Sequence, residues 1–116
     1  MKYKLKYSPD AVDKLKAIQT ELTAFYGQAV TKRVLTKITG DIRKLQENPE
    51  LGASVEAKLG ILTPYRFLYT EQNYVFYRIE NDTVYVTDIY HERENFMGRL
   101  LRVSLRTWES IDFWGE

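Results

Sequence analysis

The chain has 116 residues, and its 17 lysines and arginines nearly cancel 16 aspartates and glutamates, for a formal net charge of +1. Hydrophobic residues at 44% and charged residues at 28% describe one ordinary globular domain over 1–116, large enough to bury a core without staples. The absence of cysteine and the single histidine exclude disulfides, thiolate metal sites and multi-histidine metal centres, and the charge balance supplies no global pull toward a phosphate backbone.

No run approaches the ~20 apolar residues of a membrane span. Met1 to Lys4 has no apolar segment of signal-peptide type behind it, so a cytoplasmic protein with no membrane contact is expected. Lys2 to Tyr7 alternates lysines with Tyr3, Leu5 and Tyr7, the period of a half-buried strand, and the lysines suit a sheet edge. Ser8-Pro9-Asp10 is a helix start: a hydroxyl cap, a proline at the first helical position and an acid favourable to the dipole. Val12, Leu15, Ile18, Leu22 and Phe25 then form one apolar stripe, and Gly27 ends the helix. A second helix is expected from Gln28 to Glu47, burying Val30, Val34, Ile38, Ile42 and Leu45 and stopped by Asn48-Pro49. The short Gly27 loop makes the pair an antiparallel hairpin. Residues 49–62 read as a connector with Gly52 and Gly60, carrying Glu56 and Lys58 as its polar points.

Tyr65 to Phe96 holds three strands as an antiparallel meander. The first covers Tyr65 to Thr70, Glu71-Gln72-Asn73 breaks it, and Tyr74 to Glu80 follows, dense in aromatic and β-branched residues. Asn81-Asp82 is a two-residue turn whose side chains tolerate positive φ, and Thr83 to His91 is the last strand. It ends in a polar cluster, His91-Glu92-Arg93-Glu94. A C-terminal helical extension is expected over 97–116, where Trp108, Phe113 and Trp114 call for a docking surface. The fold class is thus α+β: an N-terminal strand, a helical hairpin and a three-stranded meander in one sheet backed by two helices.

This element order resembles the RelE/ParE toxin superfamily over roughly residues 1 to 100. The resemblance rests on Tyr65-Arg66, the run Asn73 to Ile79, Thr83-Val84-Tyr85-Val86, the ending Ile89-Tyr90-His91-Glu92-Arg93, and the Pro49-x-x-Gly52 turn. It implies the toxin of a bacterial type II toxin–antitoxin pair, neutralised by a cognate antitoxin and needing no cofactor. RelE-like members cut mRNA on the ribosome without metal; ParE-like members inhibit DNA gyrase. Metal-free cleavage needs a base at the 2′-hydroxyl, positive charge at the phosphorane and a proton for the leaving oxygen. The resemblance would assign that work to His91, Arg66, Arg93 and Glu56, with Lys58, Tyr74 and Tyr90 contacting RNA. Tyr74, however, stands where RelE-like toxins carry a strand arginine, and Glu92 stands where they often carry another. The ending with histidine, one variable residue, arginine and an acid leans toward the ParE-like branch. A non-toxic member that only binds an antitoxin is the third reading. Each residue also has a plainer role: His91 bonded to a neighbour at a strand end, Arg78 paired with Glu80 or Asp88, Arg93 and Glu94 as a surface pair, and the tyrosines as sheet packing.

Overall fold

The structure, a computed structural model, describes residues 2–94. The expected extension over 97–116, with Trp108, Phe113 and Trp114, lies outside the described residues. The chain runs β1 (Lys4–Tyr7), α1 (Pro9–Tyr26), α2 (Gln28–Arg43), 3₁₀ turns at Lys44–Gln46 and Pro49–Leu51, β2 (Ala53–Ser54), α3 (Val55–Leu59), β3 (Arg66–Thr70), β4 (Asn73–Glu80) and β5 (Thr83–His91). The strands form one sheet in the order β1-β5-β4-β3-β2, with β1 parallel to β5 and every other pair antiparallel.

The local signals act as their chemistry dictates. Ser8 is extended, and its Oγ accepts the Ala11 amide at 3.0 Å, capping α1. Gly27 takes φ 88° between the helices, a conformation that favours glycine, and its carbonyl accepts from the Thr31 amide and hydroxyl. Asn81 adopts φ 56° in the β4–β5 turn. The β3–β4 turn is tighter than expected: Glu71 and Gln72 carry positive φ (47° and 64°), and Asn73 already belongs to β4. Two non-glycine residues in that region cost on the order of 1 kcal/mol each. Asn73 Nδ2 donates to the Glu71 carbonyl at 2.8 Å across this turn.

Three further expectations are corrected. α2 ends at Arg43 rather than Glu47, because the chain tightens into a 3₁₀ turn that still buries Leu45 completely. That turn also brings Gln46 to Tyr3, whose amide donates to the Gln46 carbonyl at 2.9 Å. Phe25 is 75% exposed instead of completing the apolar stripe. Leu15 and Ile18 reach the sheet's core, whereas Phe25 sits in the last turn before the Gly27 bend, away from the sheet. The connector is not structureless: β2 adds a fifth strand beside β3, and α3 follows, capped by the Ser54 hydroxyl and closed by Gly60 at φ 70°.

The sheet buries both faces unequally. Ala11, Ile38, Ile42 and Leu45 from the helical layer meet Val75, Tyr77, Val84, Val86 and Ile89, and Ile38, Ile42 and Leu45 are fully buried, each worth about 1.5–3 kcal/mol. On the other face, Val55 of α3 covers Phe76 and Tyr90, with Phe67 and Tyr74 packed alongside. One irregularity makes this division possible. Phe76 pairs with Asp88 but Tyr77 with Val86, so Thr87 is an extra residue in β5. Strict alternation from Val84 and Val86 would drive Asp88 into the core; the bulge delivers Ile89 there instead.

Candidate functional site

β1 covers only Thr83 to Val86 of β5, which leaves the rest of that strand's edge open. α1 supplies the missing partners. The Ser8 hydroxyl donates to the Thr87 carbonyl at 2.6 Å, and Lys14 Nζ donates to the Ile89 carbonyl at 2.9 Å. The same ammonium lies 3.4 Å from Asp88 and 4.0 Å above the Tyr90 ring, while the Tyr90 hydroxyl donates to Asp88 at 2.6 Å. Lys14, Asp88 and Tyr90 therefore form one compensated group at the bulge.

Arg66 opens β3 opposite Tyr77. Its guanidinium donates to the Gly52 carbonyl at 2.7 and 3.2 Å and to the Glu50 carbonyl at 3.2 Å. Tyr77, fully buried, donates its hydroxyl to the Pro49 carbonyl at 2.7 Å and accepts the Gly52 amide at 2.9 Å. Burial pushes the Tyr77 phenol above its ordinary pKa, against the pull of the Gly52 amide and Arg66. These two side chains clamp the Pro49–Gly52 turn to the sheet. A Cβ on Gly52 would stand 2.5 Å from the Phe67 carbonyl, which explains the glycine.

At the far end of the meander, His91 sits opposite Asn73. Its Nδ1 accepts the Arg93 amide at 3.1 Å, which places the proton of the neutral ring on Nε2, and its own amide donates to Glu94 at 2.8 Å. Arg93 is exposed. The Tyr69 hydroxyl donates to Glu92 at 2.5 Å, and that carboxylate holds the phenol above its ordinary value. Tyr74 faces Tyr90 directly across the β4–β5 ladder and packs its ring 5.1 Å from Tyr69 and 5.8 Å from Phe67. Glu56 and Lys58 are exposed on α3, whose Val55 lies over this aromatic face.

The seven candidate residues thus fall into separate places. His91 and Arg93 share one turn, and Tyr74 and Tyr90 share one face. Arg66 belongs to a row of the sheet four residues away on β3 from the Thr70–Asn73–His91 row, roughly 13 Å along the strands. By strand alternation Arg66 and Tyr77 also take the opposite face from Tyr74 and Tyr90. No group of three or more His, Cys, Asp or Glu among the described residues is arranged to hold a metal ion. Lys14 escaped the sequence reading; of the two acids expected to pair with Arg78, Glu80 does so at 3.3 Å, while Asp88 is taken by Lys14 at a bulge that leaves no local trace.

The family model described as "ParE toxin of type II toxin-antitoxin system, parDE" matches residues 5–96. The chain belongs to the ParE toxin family. Among solved structures, this ParE-family chain is similar to one described as the chromosomal ParDE TA system from P. aeruginosa, with a TM-score of 0.65 and 19% identity. The match covers 77% of this chain and 95% of that one, and at this identity it speaks for the fold. No curated protein matches. The matched span takes in the helical hairpin and the whole meander, so the ParE-like lean drawn from the His91–Glu94 ending agrees with the family. No helix among the described residues is long and apolar enough to cross a membrane.

Proposed function

We propose that this ParE-family toxin arrests growth by binding DNA gyrase, that it works in the cytoplasm without cutting RNA, and that a cognate antitoxin neutralises it. The observation carrying this reading is the commitment of Arg66. A phosphorane needs a cation free to meet it, and the Arg66 guanidinium is occupied by the Gly52 and Glu50 carbonyls. The meander's end adds Glu92 and Glu94 beside His91 and Arg93, and Glu71 lies in the adjoining turn. Carboxylates there oppose an RNA phosphate. Tyr74, with its hydroxyl and no charge, does not replace the lost clamp.

The ribosome-dependent endonuclease reading draws on one observation, the His91–Arg93 turn, in which the His91 ring accepts the backbone amide of an exposed arginine. Expression from a tight promoter, with and without the neighbouring small gene, separates the readings. Gyrase inhibition relaxes plasmid supercoils before message levels fall, and co-expression of the antitoxin restores growth. Early loss of full-length message with normal supercoiling would favour the nuclease. Harmless overexpression of folded protein would leave only an antitoxin-binding role.

A further inference from the structure

The face of the sheet turned away from the helical hairpin carries two unlike halves. Toward the end of β5 it is aromatic, with Phe67, Tyr69, Tyr74, Phe76 and Tyr90. α3 covers little of it, being five residues long with Val55 as the one side chain it buries. Tyr69 is 51% exposed, and Phe67 and Tyr74 are half-buried. Toward the start of β5 the same face is cationic. Tyr85 sits in register with Lys6 on one side and Arg78 on the other. The Arg78 guanidinium lies 4.6 Å and the Lys6 ammonium 6.0 Å from the centre of its ring. Glu80 meets Arg78 at 3.3 Å and Asp82 meets Lys4 at 3.7 Å, while no acid among the described residues pairs with Lys6.

β5 ends beside the aromatic half, and the chain turns there, the Glu94 amide donating to the His91 carbonyl at 2.9 Å. The ParE family model stops at residue 96, so residues 97–116 are an addition to the shared domain. Their sequence is sorted in two ways. Met97, Leu101, Leu105, Trp108 and Ile111 recur at intervals of three and four, the stripe of an amphipathic helix. Charge separates along the length, with Arg99, Arg102 and Arg106 first and Glu109, Asp112 and Glu116 after them. The sheet face has the complementary order. Glu71, Glu92 and Glu94 gather where β5 ends, and Lys4, Lys6 and Arg78 where it begins. A helix over 97–116 would run about 30 Å, and the nine residues of β5 run about 30 Å as well.

We propose that residues 97–116 fold back along this face of their own domain, laying the Met97–Ile111 stripe on Phe67, Tyr69 and Tyr74 and bringing Glu109, Asp112 and Glu116 to Lys6 and Arg78. Attachment favours this occupant over a separate chain, since a short connection holds the segment beside the face at an effective concentration on the order of millimolar. RNA is disfavoured, because Glu71, Glu92 and Glu94 would meet its phosphates next to the aromatic half. The docked segment closes the Tyr74–Tyr90 face, to which the RelE-like resemblance assigns RNA contacts. This docking holds whichever target the toxin takes.

The full chain carries the means of its own test, because Trp108 and Trp114 are its only tryptophans and it has no cysteine. A bimane fluorophore, which tryptophan quenches on near contact, is attached in separate variants to Lys6→Cys and Arg78→Cys, and as a control to Lys16→Cys on the exposed side of α1. Circular dichroism confirms that each labelled chain is folded. Quenching of about twofold or more is expected at one or both of the sheet sites, at every protein dilution, and should be relieved when Trp108→Phe and Trp114→Phe are added. The Lys16→Cys label should stay bright. Folded chains with neither sheet label quenched would overturn the proposal. Quenching that fades on dilution in step with dimer dissociation would overturn it as well, by giving the face to the tail of a second copy, and so would quenching that begins only when the antitoxin is added.

Discussion

The buried Tyr77 hydroxyl and the Gly52 amide meet at 2.9 Å, and the same hydroxyl donates to Pro49 on the other side of the turn. Gly52 is close enough to β3 and Tyr77 that any side chain collides with the Phe67 carbonyl and the phenol. Gly52→Ala should therefore destabilise by about 1–3 kcal/mol as the turn is pushed off the sheet. Tyr77→Phe leaves a buried amide and carbonyl without their partner and should cost a similar ~1–3 kcal/mol. Urea unfolding of each variant reads both losses; unchanged midpoints would mean that the turn is not held from β4.

Arg66 contributes through the same corner. Arg66→Ala removes three hydrogen bonds to the carbonyls of Glu50 and Gly52, so its effect should appear as a lower unfolding midpoint. Growth arrest should persist wherever the variant stays folded, for instance at reduced temperature. A variant of wild-type stability that has lost all toxicity would show that the guanidinium acts on the target.

Lys14 holds an open strand edge. Lys14→Met keeps the alkyl chain against Tyr90 but loses the bond to the Ile89 carbonyl and the contact with Asp88. A loss of about 1–2 kcal/mol is expected, with faster exchange of amides near the Thr87 bulge. Since Lys14 and Asp88 are both partly exposed, the ionic share of that loss should shrink in high salt.

Asp41 ties α2 to the meander. Partial burial pushes its carboxyl up, but hydrogen bonds from Lys37, Thr70 and Lys44 outweigh that and lower its pKa to about 2. A depressed folded-state pKa gives stability that is full above the unfolded value near 3.8 and fades as pH falls toward about 2. Both lysines are more than half exposed, so the amount is on the order of 1–2 kcal/mol. Asp41→Asn should lower stability at pH 7 and flatten the stability profile between pH 4 and 2. A parallel, merely displaced profile would show that another carboxylate dominates this window.

What the sequence disclosed follows from how local each cause is. Ser8-Pro9, Gly27 and Asn81 act within a few residues, and the strand from Thr83 to His91 was legible from its own composition and turn. β2 was hidden because two residues become a strand only when Gly52 allows the backbone against Phe67, fourteen or more residues away. The bulge at Thr87 was hidden for a similar reason: the Thr87 carbonyl it turns out of the ladder is taken by Ser8, 79 residues earlier. At the candidate site, residue types were readable but their partners were not. Arg66 has the same letters around it whether it faces a phosphate or the Gly52 carbonyl, and only the register with Tyr77 decides.

The most direct measurement is supercoiling by purified DNA gyrase in the presence of this chain, run beside primer-extension mapping of mRNA on programmed ribosomes. The account predicts loss of supercoiling activity in proportion to toxin, reversed by the antitoxin, and intact mRNA. Cuts within codons that disappear in His91→Ala, with gyrase fully active, would contradict it.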